Sequence, residues 1–192
     1  AFVSSRDQHS LDDDIKMFFA LDNALLDASI ACWDAKRNYD YVRPITAIHF
    51  LFAGKQTQAW AGPGLGTRMI DGGSWMPYQR NIVITPPFPE YVSGHSTFSA
   101  AAAQVLLRFT GSDNFGDSAK VIAGASNIEP GITPHNDVLL SWATFSQAAD
   151  EAGFSRRWGG IHFQPGDLQG RAVGRQVGDQ AYNKALTFIN GH

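Results

Sequence analysis

The donors needed to enclose a tetrahedral oxyanion are present in this chain, but they lie on three short segments far apart in sequence. These are Lys36-Arg37-Asn38-Tyr39-Asp40-Tyr41-Val42-Arg43-Pro44, Ser93-Gly94-His95-Ser96 and Ser155-Arg156-Arg157-Trp158-Gly159-Gly160-Ile161-His162. A fold that uses them together must gather all three at one point. Lys36, Arg43 and Arg156 offer three cations, the charge that holds a phosphate-like anion once it has left water. Ser93 adds a hydroxyl, Gly94 an unobstructed backbone N–H, and His95 and His162 two imidazoles.

The rest of the composition is permissive. A length of 192 residues with 44% apolar content suits one domain, residues 1–192, that buries an ordinary core. The net charge of −3 and the lack of any Lys/Arg-rich run leave no electrostatic footprint for nucleic acid or an anionic membrane surface. Cys32 is the single cysteine, so no internal disulfide forms, and its apolar neighbours make it a small core residue. No apolar run reaches membrane-spanning length, and the first residues lack a basic-then-apolar leader pattern. The chain opens on Ala1 rather than Met, which suggests removal of something upstream.

The periodicity predicts a mostly helical chain. Ser10, followed by acidic Asp12 and Asp13, starts a helix in which Ile15, Phe18, Phe19, Leu21, Leu25, Leu26, Ile30 and Trp33 recur at helical spacing, ending near Tyr39. Pro44 starts a second helix that stops at Gly54. Residues 54–91, rich in Gly, Pro and Trp, read as a long structured loop of the kind that builds a site. Ser96 or Thr97 caps a helix that closes at Gly111. That cap places Gly94 and His95 at a helix N-terminus, where free N–H groups favour an anion. Residues 112–134 read as a polar connection with a short strand near Val121 and Ile122, followed by a helix over about 137–152. A last helix, about 167–189, carries Gly170, Gly174 and Gly178 on one face, a spacing that permits close approach to a neighbour.

With these motifs in order, the chain resembles the superfamily of vanadium-dependent haloperoxidases and type 2 phosphatidic acid phosphatases. The shared signature is Lys-x6-Arg-Pro, then Ser-Gly-His-Ser at a helix start, then Ser-Arg-x5-His, and all three parts match in type and spacing. The resemblance implies an all-α helical bundle with the site at one end. Trp33 and Phe88 stand where haloperoxidases of the chloroperoxidase type line their halide pocket, and Pro86 to Ser96 looks more like bacterial haloperoxidases than acid phosphatases. A purely structural role in the core suits those two aromatics equally well. The chain departs from the family at Val92, usually Pro, and at Gly166, often an Asp that orients the metal-binding histidine; Asp167 lies one position further on. The partner of the second ring nitrogen of His162 is thus left open.

Carried over residue by residue, the resemblance assigns His162 as the only protein ligand to the vanadium of a bound vanadate. Lys36, Arg43, Arg156, Ser93 and the Gly94 N–H hold the vanadate oxygens, a site that phosphate also fits. His95 accepts a proton from hydrogen peroxide, and Lys36 polarises the oxygen offered to halide. The implied product is hypohalous acid, with hydrogen peroxide, halide and an organic acceptor as partners. The same residues suit a phosphomonoesterase with His162 as nucleophile, and a non-catalytic subunit or fragment is a third reading. Family haloperoxidases are commonly longer, so a preceding segment or a second copy is the expected protein partner. Export, periplasmic or secreted, is consistent with the family. His9, His49, His135 and His192 belong to no such pattern and read as structural or surface residues, and Arg157 as solvent-facing.

Overall fold

The computed structural model describes residues 1–191. Its elements in order are α1 (Phe2–Arg6), α2 (Leu11–Tyr39), α3 (Pro44–Phe52), β1 (Gln56–Trp60), β2 (Thr67–Asp71), a 3₁₀ turn (Gly72–Ser74), α4 (Gly94–Thr110), β3 (Asn114–Val121), β4 (Val138–Thr144), α5 (Phe145–Trp158) and α6 (Gln164–Ile189). Helices α2, α4, α5 and α6 pack on one another as a bundle, with α4 against each of the other three.

Local chemistry sets the ends that matter. The Ser10 hydroxyl accepts the Asp13 N–H while the Asp13 carboxylate accepts the Ser10 N–H, a reciprocal cap that fixes the start of α2. Helix α2 stops at Asp40, whose φ of 41° is left-handed. Four residues later Pro44 opens α3 in the position where a missing N–H costs nothing. Lys36 and Arg43 therefore stand on either side of one corner.

Small residues make the bundle tight. Helix α2 buries Met17, Ala20, Ala24, Ala28, Cys32 and Lys36, a seam that ends in a charged residue. On α6, Gly170, Gly174 and Gly178 lie against α4: a Cβ at Gly174 would overlap the Thr97 carbonyl oxygen, and one at Gly178 would stand 2.7 Å from that of Ala101. The predicted glycine face thus has α4 as its neighbour, with backbones too close for any side chain.

The large apolar residues predicted on α2 do not form the seam. Ile15, Phe18, Phe19, Leu26, Ile30 and Trp33 are exposed, Ile30 by 63%. They lie on helix faces turned from the alanines, because close packing against α4 and α6 admits only short side chains.

Several other expectations are corrected. The fold is a helical bundle but not all-α, since β1 pairs with β2 and β3 with β4 in two antiparallel hairpins. The first hairpin lies within what reads in sequence as a continuous loop. The second converts residues 138–144 from expected helix to strand, because their every-other-residue burial matches a strand and β3 supplies the hydrogen-bonding edge. Helix α5 begins only at Phe145, capped by the Thr144 hydroxyl, and runs to Trp158. The cap of α4 is Ser93, not Ser96 or Thr97: the Ser93 hydroxyl accepts the Ser96 N–H, and the Ser96 hydroxyl donates instead to Asp167 at 2.8 Å.

Candidate functional site

Lys36 is 1% exposed, carried inside by the last full turn of the α2 seam. Its ammonium donates to the carbonyls of Pro89 (2.8 Å) and Glu90 (3.0 Å). Burial, with Arg43 nearby, pulls its pKa down from 10.5 to about 8. Arg43, at the N-cap of α3, donates Nε to the Phe88 carbonyl (2.7 Å), Nη2 to that of Pro89 (3.3 Å) and Nη1 to that of Ile161 (2.9 Å). Burial, reinforced by Arg156, lowers its pKa to about 10. The proline-rich segment 86–90 has no strand partner, and its free carbonyls are what hold these two cations.

Phe88 lies under both charges, its ring centroid 5.2 Å from Lys36 Nζ and 4.9 Å from Arg43 Cζ. The Trp33 ring packs on it at 4.8 Å. The two aromatics named from sequence are thus in contact with each other and beside the cations, although Trp33 keeps 47% of its surface in solvent.

Ser93 and Gly94 start α4, next to this corner. The Ser93 N–H donates to the Gly166 carbonyl (2.9 Å), and its buried hydroxyl accepts the Ser96 N–H at a long 3.4 Å, leaving its own proton free to donate. His95, one residue into α4, is exposed. Desolvation of its ring, then the charges of Arg156 and His162, hold its pKa below the usual histidine value.

Arg156 comes from the end of α5, and desolvation lowers its pKa. Its Nε is buried without a hydrogen-bond partner, one of two such side-chain atoms among the described residues. A buried guanidinium N–H left unpaired is costly, which marks a place for an absent acceptor. Arg157 turns elsewhere, with Nη1 3.6 Å from Asp167 and its guanidinium over Phe154. The adjacent arginines have separate tasks.

His162 is buried in the turn before α6. Its Nε2 lies 3.1 Å from Arg43 Nη1 and its Nδ1 lies 2.7 Å from Glu90 Oε1. Arginine only donates, so Nε2 must carry a lone pair and the ring proton sits on Nδ1, given to Glu90. Burial lowers the histidine pKa while the Glu90 hydrogen bond works against that shift. The ring is neutral, with its lone pair turned toward Arg43 rather than toward the carboxylate.

Sequence reasoning missed Glu90, which is 1% exposed. Its Oε1 also accepts the Phe163 N–H at 3.0 Å. The available signal was an acid among prolines immediately before the Ser-Gly-His segment, and its meaning depends on a partner 72 residues away. Asp167, the other acid in question, lies fully buried and is bonded elsewhere: it accepts from Ser96 and from Arg171 Nε (2.8 Å) and Nη2 (2.7 Å). Of the remaining histidines, His9 bonds Asp14, His49 bonds the Trp75 carbonyl and His135 is exposed; His192 lies outside the described residues.

Arg43 thus meets the imidazole lone pair of His162, and Lys36 and Arg156 lie close enough for their charges to act on this pair and on His95. Ser93 and the N-terminus of α4 follow directly on the segment that holds the cations, and the carboxylate of Glu90 is on the far side of the ring. Vanadate fits such a donor set: its charge answers the cations, and the bare Nε2 suits a metal.

Residues 16–191 match the family described as the VCPO second helical-bundle domain. A vanadium chloroperoxidase from Curvularia inaequalis is 29% identical over 98 residues, a match that takes in 50% of this chain and 15% of that protein. A bacterial vanadium-dependent chloroperoxidase in its apo form superposes with a TM-score of 0.86 at 32% identity, covering 92% of this chain and 37% of that one. Its holo form gives a TM-score of 0.79 at 33% identity, over 85% of this chain and 34% of that one. A bacterial vanadium-dependent iodoperoxidase gives 0.68 at 31% identity, over 95% and 36%. The chain thus spans little more than a third of the length of these solved relatives. Since the family match runs through nearly the whole bundle and every segment that meets at the site, the chain belongs to the vanadium haloperoxidases, as their second helical-bundle domain.

Proposed function

We propose that this protein is a vanadate-dependent haloperoxidase that uses hydrogen peroxide to oxidise halide to hypohalous acid, H₂O₂ + X⁻ + H⁺ giving HOX + H₂O. The single observation that carries the reading is the Nε of Arg156, buried and unpaired among groups whose combined charge calls for a multivalent oxyanion. Vanadate, when bound, supplies a Lewis-acid centre that activates peroxide without itself changing oxidation state. His162 Nε2 would be its protein ligand, with oxygens held by Lys36, Arg43, Arg156, Ser93 and the Gly94 N–H.

The chain's own residues then divide the work. His95, held neutral at pH 7 by its lowered pKa, accepts a proton from incoming peroxide. Lys36, still protonated below about pH 8, polarises the oxygen that halide attacks. Trp33 and Phe88 form an apolar wall beside two cations, a surface that holds a poorly hydrated anion such as a large halide. The exposed apolar stripe of α2, from Ile15 to Trp33, is the surface on which a preceding helical segment packs, since stripes of that size rarely face water alone.

One observation favours a second reading. The Glu90–His162 pair holds an imidazole with an available lone pair, which is also what a phosphomonoesterase needs for attack on phosphorus. A paired assay separates them: peroxide-dependent oxidation of chloride, bromide and iodide by the vanadate-loaded protein, against phosphate-ester hydrolysis by the vanadate-free protein, with His162→Ala in both. Halide oxidation lost in the variant supports the haloperoxidase. Hydrolysis without halide oxidation assigns the site to phosphate esters.

A further inference from the structure

We propose that Glu90 and Gly166 are an exchanged pair: Glu90 is the positioning residue for His162, and Gly166 is glycine because the Glu90 carboxylate occupies the space its side chain would need. The inference rests on the proposed function only where vanadate affinity is concerned.

Gly166 lies four residues after His162, on the first turn of α6, at the position where the family resemblance implies an aspartate. A Cβ there would overlap Glu90 Oε1 and stand 2.7 Å from the carboxyl carbon. That oxygen is the one 2.7 Å from His162 Nδ1. An acid at 166 and an acid at 90 would therefore compete for one place beside the ring, and this chain fills it from the segment before α4 instead of from α6.

The exchange couples parts of the site that an aspartate on α6 would leave separate. The Glu90 N–H donates to the Tyr41 carbonyl (2.9 Å), in the corner between α2 and α3. The Glu90 carbonyl accepts from Lys36. Its carboxylate also takes the Phe163 N–H, fixing the backbone directly after His162. One residue thus holds the ring of His162, the ammonium of Lys36 and the entry to α6 in a common frame. Gly166 completes the contact by accepting the Ser93 N–H through its carbonyl, so that the start of α4 is tied to the same turn.

The test is ¹⁵N NMR of the histidine-labelled, vanadate-free protein, with vanadate affinity measured in parallel. In wild type, His162 should show a protonated Nδ1 and a bare Nε2. Glu90→Ala should leave the tautomer, which Arg43 also holds, but move the Nδ1–H proton and nitrogen resonances away from those of an imidazole bonded to a carboxylate, and weaken vanadate binding by roughly 10–100-fold. Adding Gly166→Asp should restore the Nδ1–H resonances and most of the affinity, because alanine at 90 vacates the space an aspartate enters. Glu90→Gln should keep the tautomer, since its amide oxygen can accept the same two N–H groups. A wild-type ring protonated on Nε2 would overturn the positioning role without any variant. Unchanged Nδ1–H resonances in Glu90→Ala would do the same, and a double variant no better than the single one would overturn the exchange. The ring-nitrogen result needs no vanadate, so a failed cofactor assignment would appear in the affinity measurement alone.

Discussion

Arg43 Nη1 stands 3.1 Å from Nε2 of His162, so a guanidinium donates into the very lone pair that the proposed vanadate would take. One lone pair cannot serve both. Vanadate held as proposed would require Arg43 to leave the histidine, which would free its guanidinium for an oxygen of the anion. Arg43→Lys keeps a positive charge but loses the planar fork. Equilibrium dialysis should show vanadate affinity lowered by about tenfold, the equivalent of ~1.4 kcal/mol, and by more in Arg43→Ala.

Lys36 makes the ligand-free fold pH-dependent. Its pKa is about 8 in the folded chain against an ordinary 10.5, so between those values the unfolded chain binds more protons. Stability of the ligand-free protein should then rise with pH across that window, while affinity for vanadate or phosphate falls as Lys36 loses its charge. Lys36→Met should abolish the rise, which urea midpoints at pH 7 and pH 9.5 would show. At pH 7 it should also be more stable than wild type by about 2 kcal/mol, having lost a buried charge, and should bind the anion poorly.

Gly174 tests the packing that aims α6. A methyl group there meets the Thr97 carbonyl and stands 2.9 Å from the Ala100 Cβ, so the helices must separate. Gly174→Ala should cost about 3 kcal/mol despite the gain in helix propensity. Arg175→Ala, one position along on the exposed face, should change stability by less than about 0.5 kcal/mol in the same denaturation experiment.

Asp167 and Glu90 should fail differently. Asp167 neutralises Arg171 inside the bundle and anchors Ser96 of α4, with no hydrogen bond to His162. Asp167→Ala leaves a buried guanidinium without its main partner, although Asp150 remains 3.1 Å from Nη1. The expected cost is about 3–5 kcal/mol by denaturant titration, with the His162 tautomer unchanged. A Glu90 variant should show the reverse emphasis, altered ring nitrogens before altered stability.

How much could be read in the sequence follows from the range of each signal. Ser10, Pro44 and Gly111 act within a turn of themselves, and the helix ends they set are where the spacing placed them. Each of the three motifs sits at a helix terminus, which is also local information. The stretch Val138–Thr144 misled because valine, leucine and tryptophan at that spacing also suit a helix, and only the β3 edge decides. The α2 face misled for a related reason: large apolar residues usually mark the core, but here glycine and alanine seams leave no room for them. Glu90 was not legible because its meaning depends on the empty side of Gly166, a contact across 76 positions that no local pattern encodes.

The central claim is that Lys36, Arg43, Arg156 and His162 form one oxyanion site, and calorimetric titration with vanadate and, separately, phosphate tests it most directly. The account predicts a single saturable site for each anion. Arg156→Ala and His162→Ala should each weaken vanadate at least about tenfold, with the larger difference between vanadate and phosphate at His162, the proposed metal ligand. Binding left intact by both substitutions, or no binding by the folded wild-type protein, would contradict it.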